Sequence, residues 1–140
     1  MNIKQLELSL IGGFHDALLH SYSVDLSAKT ASFLMELCVG DSDSTDALIR
    51  EARRPARLHL HGLDYLSVDA PDPRYSREAP WQIDLCEADP EFASRYAPIE
   101  GGFAARFYSS DTNAFIHFAA LTAAITYDNA LLDPTGTQPL

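Results

Sequence analysis

Carboxylates and imidazoles recur in this chain at spacings that chemistry can use. His15 and Asp16 precede one run of alternating residues, and Asp41 and Asp43 follow the next. If those two runs pair as a hairpin, with Leu26 facing Ala31, the register sets Leu18 beside Val39 and Asp16 beside Asp41. Oxygen ligands at short range suit a hard cation such as Ca²⁺ or Mg²⁺. An added imidazole suits zinc or manganese. Two close carboxylates can also raise one pKa and supply a general acid. Asp41-Ser42-Asp43-Ser44-Thr45-Asp46 opens like an EF-hand loop, but Asp46 stands where glycine is needed and Ala52 where the bidentate glutamate is needed. The plainer reading makes Asp16 a turn cap and gives His15 a backbone hydrogen bond, so no metal is expected.

His59 and His61 lie two apart, so on a strand they share a face opposite Leu58 and Leu60. No third ligand is evident beside them, and solvent-facing strand histidines are the simpler account. A third constellation comes from a second hairpin. With Ser110 facing Asn113, Phe107 pairs with Ile116, Ala105 with Phe118 and Phe103 with Ala120 on the core face. The other face then pairs Arg106 with His117 and Tyr108 with Phe115. A cation, an imidazole and two aromatics on one face can receive an anion or a carboxylated partner. They can equally be satisfied from within, by Asp72 of the Pro71–Tyr75 loop or another acid between residues 64 and 91. The candidate binding set is Arg106, His117, Asp72, Arg74, Tyr75 and Asn113. Catalytic signatures are missing: there is no Gly-x-Ser-x-Gly elbow and no phosphate loop, and Cys38 and Cys86 have no context that activates a thiolate.

The elements that must position these residues are mostly strands. Asn2 caps a short helix over residues 3–11. Residues 18–26 and 31–39 alternate with period two, which predicts a β-hairpin with Val24 across from Phe33, Tyr22 across from Met35, and His20 on the core face opposite Leu37. A short helix over Ala47–Arg53 is expected to stop at Pro55. Strands are expected over Arg57–His61, Leu63–Asp69, 81–86, Phe103–Ser109, Ala114–Ala120 and Thr122–Asp128. Gly62 marks a bend, and Asp89-Pro90 starts one helical turn. The tail 133–139 is expected to fray. Short strands at regular spacing predict a mainly β chain: an antiparallel sandwich or partly open barrel of about seven strands with a short N-terminal helix.

The chain has 140 residues, so a single domain spanning 1–140 is expected. It carries 10 Lys and Arg against 20 Asp and Glu, a formal net charge of −10. That balance speaks against nucleic acid and anionic membrane surfaces as partners, since both are bound through clustered cations. The basic run Arg50, Arg53, Arg54 and Arg57 reads as a solvated turn beside Pro55. Two cysteines make no disulfide framework, and no basic start followed by an apolar run marks a leader. A cytoplasmic setting with reduced thiols is the expectation.

Four segments, Gly13-Phe14-His15-Asp16-Ala17, Val39-Gly40-Asp41, Pro71-Asp72-Pro73-Arg74-Tyr75 and Asn113-Ala114-Phe115-Ile116-His117-Phe118-Ala119-Ala120, occur in that order. In this the chain resembles an uncharacterised family of small bacterial proteins, across roughly residues 12–128. The resemblance implies a bacterial origin and no reaction, cofactor or ligand. The residues themselves point first to a non-enzymatic acidic binding domain with a protein partner, basic by charge complementarity and immunity-like by analogy. A homodimer is left open. The alternative is a metal-binding domain or metal-dependent hydrolase using His15, Asp16, Asp41 and Asp43.

Overall fold

The structure is a computed structural model describing residues 1–41, 43–75, 78–93 and 100–128. The expected tail at 133–139 lies outside them. Two antiparallel sheets pack face to face. One has five strands in the order β5 (Trp81–Ile83), β1 (Ala17–Asp25), β2 (Thr30–Cys38), β3 (Arg53–His61) and β9 (Thr122–Tyr127). The other has four, in the order β4 (Tyr65–Val68), β8 (Ala114–Ala120), β7 (Phe103–Ser109) and β6 (Leu85–Ala88). Among the described residues the architecture is an open sandwich with no closed barrel, and three short helices accompany it: α1 (Ile3–Ser9), α2 (Ala47–Arg50) and α3 (Pro90–Ala93). No helix among the described residues is long and apolar enough to cross a membrane.

Alternation explains the layers. Phe33 and Leu58 from one sheet meet Phe107 and Phe118 from the other, all with no exposed surface. The Phe107 and Phe118 rings lie 4.9 Å apart, and Phe33 stands 5.9 and 5.6 Å from them. Phe14 closes one end of the cluster, 5.1 Å from Phe107. α1 starts as its sequence predicts, with Asn2 and Gln5 forming a reciprocal capping box, and it buries Ile3 and Leu6.

The first hairpin is a β-hairpin, but its register differs from the expected one. Val24 pairs with Ala31 and Tyr22 with Phe33, two residues out of the predicted phase. The cause is the turn. The Asp25 carboxylate accepts the Ala28 amide and Lys29 adopts φ 54, so Leu26 is spent in the turn and not in the ladder. A bulge at His20 then changes the phase again: Leu19 pairs with Met35 and Leu18 with Glu36. Past the bulge the inward residues are Leu19 and Ala17. The expected pairing of Leu18 with Val39 and of Asp16 with Asp41 therefore does not form, and His20 leaves the core face.

Two further expectations are corrected. The stretch expected as one strand over 81–86 is two strands in different sheets, with Asp84 at the crossing. Its amide donates to Tyr108 O and its carboxylate accepts the Ser110 amide. Pro55 does not end a helix over Ala47–Arg53. α2 stops at Arg50, and Pro55 lies inside β3 opposite Glu36, with its carbonyl turned to Asp128. A strand residue's N–H lies on the same side as its C=O, so the donor missing from proline falls beyond the last β3–β9 pair, Ala56 with Tyr127. Arg53, Arg54 and Arg57 are accordingly strand residues and not a turn. Gly62 is the expected bend: with φ +64 it carries the chain from one sheet to the other, beside Leu121, where a second connection crosses.

Candidate functional site

The second hairpin forms in the predicted register, from Phe103–Ala120 through Arg106–His117 to Ser109–Ala114. β6 and β4 extend the row outward, so that Glu87, Arg106, His117 and Ser67 stand side by side across four strands. Glu87 is the partner that Arg106 takes. One carboxylate oxygen, Oε1, accepts from Nε at 2.7 Å and lies 2.6 Å from a terminal nitrogen. The guanidinium also lies 4.1 Å over the Phe115 ring.

His117 is buried between two acids from neighbouring rows. Asp89 lies two residues beyond Glu87, and its Oδ2 is 2.8 Å from Nδ1. Asp69 lies two residues beyond Ser67, and its Oδ1 is 3.3 Å from Nε2. A carboxylate oxygen thus stands beside each ring nitrogen. Asp89 is committed twice, since its other oxygen accepts the Glu91 amide at the start of α3. That caps the turn as the Asp89-Pro90 dipeptide predicts. Asp69 is held by the backbone as well: its Oδ2 accepts from the Phe115 amide and its own amide donates to Phe115 O. Cation, imidazole and aromatics thus do come together on one face, and Glu87, Asp89 and Asp69 satisfy them from within the fold.

Asp72 does not reach Arg106. Its carboxylate takes two side-chain hydrogen bonds and a backbone one from Arg74, which hold its pKa down to about 2. A residue two positions away competes better than one across the sheet. Asn113, with φ 49 in the turn, accepts from the Tyr108 hydroxyl at 2.6 Å and lies 3.4 Å from Asp72. Tyr75 donates its amide to Asp72 O, and its side chain is exposed. The Pro71–Tyr75 loop thus adjoins the Tyr108 end of the face.

The four candidate metal residues do not converge. Among the described residues, no three His, Cys, Asp or Glu side chains are grouped to hold a cation. His15 Nδ1 donates to Asp84 O, and this bond together with the nearby Asp16 carboxylate raises its pKa. Asp16 accepts from the Gln82 amide group, and Asp41 accepts the Asp43 amide within its own turn. His15 thus makes the backbone bond of the plainer reading, whereas Asp16 bonds a side chain from β5 instead of capping a turn, and Asp41 is the acid that caps one. His59 and His61 share the outer face as expected, their rings nearly parallel and 6.4 Å apart, and His59 Nε2 meets Thr126 Oγ1 at 2.9 Å. Partial burial, then His61 and Arg57, lower the His59 pKa. His20, turned outward by the bulge, bonds Glu36 at 2.6 Å. Both cysteines are free, and burial pushes the Cys86 thiol far above its usual range.

An apolar surface lies elsewhere, along one flank of the sandwich. β5 covers β1 only from Ala17 to Leu19. From His20 to Asp25 the outer edge of β1 has no neighbouring strand among the described residues. Pro80 explains where the cover stops, because it has no amide with which to extend the ladder upstream of Trp81. Tyr22, Val24 and Leu26 are 45%, 40% and 84% exposed there. They face Leu63, Leu66 and Val68 across a cleft of about 570 Å³ at the edge of the other sheet. A second hollow, between Ser21, Tyr22, Ala79 and Trp81, continues it along β1. The sequence signal for this flank was present in the apolar alternation Tyr22, Val24, Leu26. What it lacked was any sign that these positions stay uncovered. No family model matches the chain, and neither does any curated protein or solved structure.

Proposed function

We propose that the chain is a non-catalytic binding domain that holds a protein partner along the open flank between β1 and β4. The observation that carries this reading is the exposure of Tyr22, Val24 and Leu26 beside a strand edge that no strand covers among the described residues. Strand edges in folded proteins are normally blunted by lysine, proline or a cover, and grouped apolar side chains at an edge mark an association surface. Between the bulge at His20 and Asp25, the segment Ser21–Val24 has neither charge nor proline. The polar face of the other sheet offers less, because its cation and imidazole already have acid partners. The net charge of −10 favours a basic partner through long-range steering. Neutralising such a partner, in the manner of an immunity protein, is the role proposed by analogy, and the bacterial cytoplasm is the proposed setting.

A site-specific photocross-linker tests the reading. Placed at Val24, it should give a discrete adduct in cells that express the chain natively, and raised salt should weaken the yield. The same group at Leu8, which is 76% exposed on α1, should give none. Equal labelling from both positions refutes the flank as the binding surface.

A further inference from the structure

We infer that the partner binds by strand addition: an extended segment, apolar at alternate residues and bearing Lys or Arg between them, continues the five-stranded sheet where β5 ends. This rests on the binding-domain reading and names its mode and chemistry. The two hollows share Tyr22 and run along the β1 edge that no strand covers among the described residues, from Trp81 to Leu26. A strand laid there would be collinear with β5, which already pairs antiparallel with the first three residues of β1. Its backbone would take those amides and carbonyls of residues 20–25 that point away from β2. Because side chains alternate, every second one would point between the sheets onto Tyr22, Val24, Leu66 and Val68. Those walls are apolar, so the inward residues must be apolar.

Charge decides between a foreign segment and a second copy. Asp25 ends the open edge and Asp64 lies on the opposite wall, with Lys29 the one cation lining the cleft among the described residues. Two copies meeting edge to edge would bring −10 against −10. A cationic segment is drawn by the same field that repels a copy. The outward residues of the added strand lie beside Ser21, Ser23 and Asp25, where Lys or Arg remains solvated and gains the carboxylate.

The probe is a seven-residue peptide alternating lysine and valine, blocked at both ends, with binding to the intact chain read by fluorescence anisotropy in low salt. The inference expects saturable binding, at least tenfold weaker for the glutamate–valine analogue, and at least tenfold weaker for Val24→Lys. Val24 is half-exposed, so that variant keeps the fold, and its circular dichroism should match the parent. The backbone is tested by N-methylating every second residue of the peptide in either phase. One phase should lose at least tenfold relative to the other, since a strand presents alternate amides to each edge. Equal affinity in both phases overturns strand addition. Equal affinity for the lysine and glutamate peptides overturns the choice of partner, as does a Val24-dependent dimer of the chain in sedimentation. If the Val24 cross-link forms but no peptide binds, the binding-domain reading stands and this inference falls. If the cross-link itself fails, both fall.

Discussion

Asp89→Ala should be among the most damaging single polar substitutions in the chain. The side chain is fully buried, and each oxygen has a separate task. Oδ1 caps α3, and losing such a cap costs about 1 kcal/mol. Oδ2 partners His117, and a buried donor left without its acceptor costs about 1–3 kcal/mol. Together they put the loss at roughly 3 kcal/mol. In a domain of this size that lowers the melting temperature by about 10 °C. Thermal and urea unfolding followed by circular dichroism measure it. Glu51→Ala is the control: the side chain is 55% exposed with Arg50 at 3.8 Å, and its melt should match the parent. A double-mutant cycle with His117→Ala should return a coupling of about 1–3 kcal/mol, the range for residues in direct contact. The reasoning is refuted if Asp89→Ala costs less than about 1 kcal/mol, or if the two changes add without coupling.

Three other outcomes follow from the geometry. Gly40→Ala should destabilise by about 1–3 kcal/mol in urea unfolding, because a Cβ there collides with the backbone carbonyls of Ile49 and Arg50, which have no side-chain freedom to yield. In an NMR titration, His15 should titrate above the ordinary 6.5, His59 below it, and the Asp72 carboxyl at about 2. The linkage signs are opposite: His15 adds stability below pH 6.5 that is lost as pH rises through its folded midpoint, whereas His59 costs stability as pH falls below 6.5. Reversal of the order of the two histidines would count against the bond to Asp84 O and against the burial of His59. Finally, Cys86 in the folded chain should react with iodoacetamide at pH 8 far more slowly than a free thiol, since burial holds it protonated, and unfolding in urea should restore the ordinary rate.

Strand content and the layering of the core could be read from residue order alone. Period-two alternation is a local property, so Phe103, Ala105 and Phe107 announce a buried face before their partners are known. The β7–β8 register was equally legible, because a four-residue polar turn joins two alternating runs of equal length and leaves one pairing that sets Phe103, Phe107 and Phe118 on one face. The same reasoning put Arg106 beside His117, and it holds. It failed on the first hairpin, where the turn consumed Leu26 and the bulge at His20 inverted the faces beyond it. A bulge adds a single residue and leaves the alternation on each side intact, so nothing in the pattern announces it. With the faces inverted, the proposed meeting of Asp16 and Asp41 had no basis.

What the sequence by itself determined is therefore the class of each segment, the composition of the core and a surplus of acids near His117. Tertiary structure alone decided which acids those are. Eight acids lie between residues 64 and 91, and any of several could have answered the cation and the imidazole. Glu87 won Arg106 by direct cross-strand pairing, Asp89 and Asp69 reached His117 from the adjoining rows, and Arg74 had already taken Asp72. The choice depends on strands brought together across tens of residues, and on Asp84, where one apparent strand divides between two sheets. The open flank has the same origin. Alternation marks Tyr22 and Val24 as one face of a strand, but whether a neighbour covers that edge depends on where β5 stops, which is a matter of the path taken by distant chain.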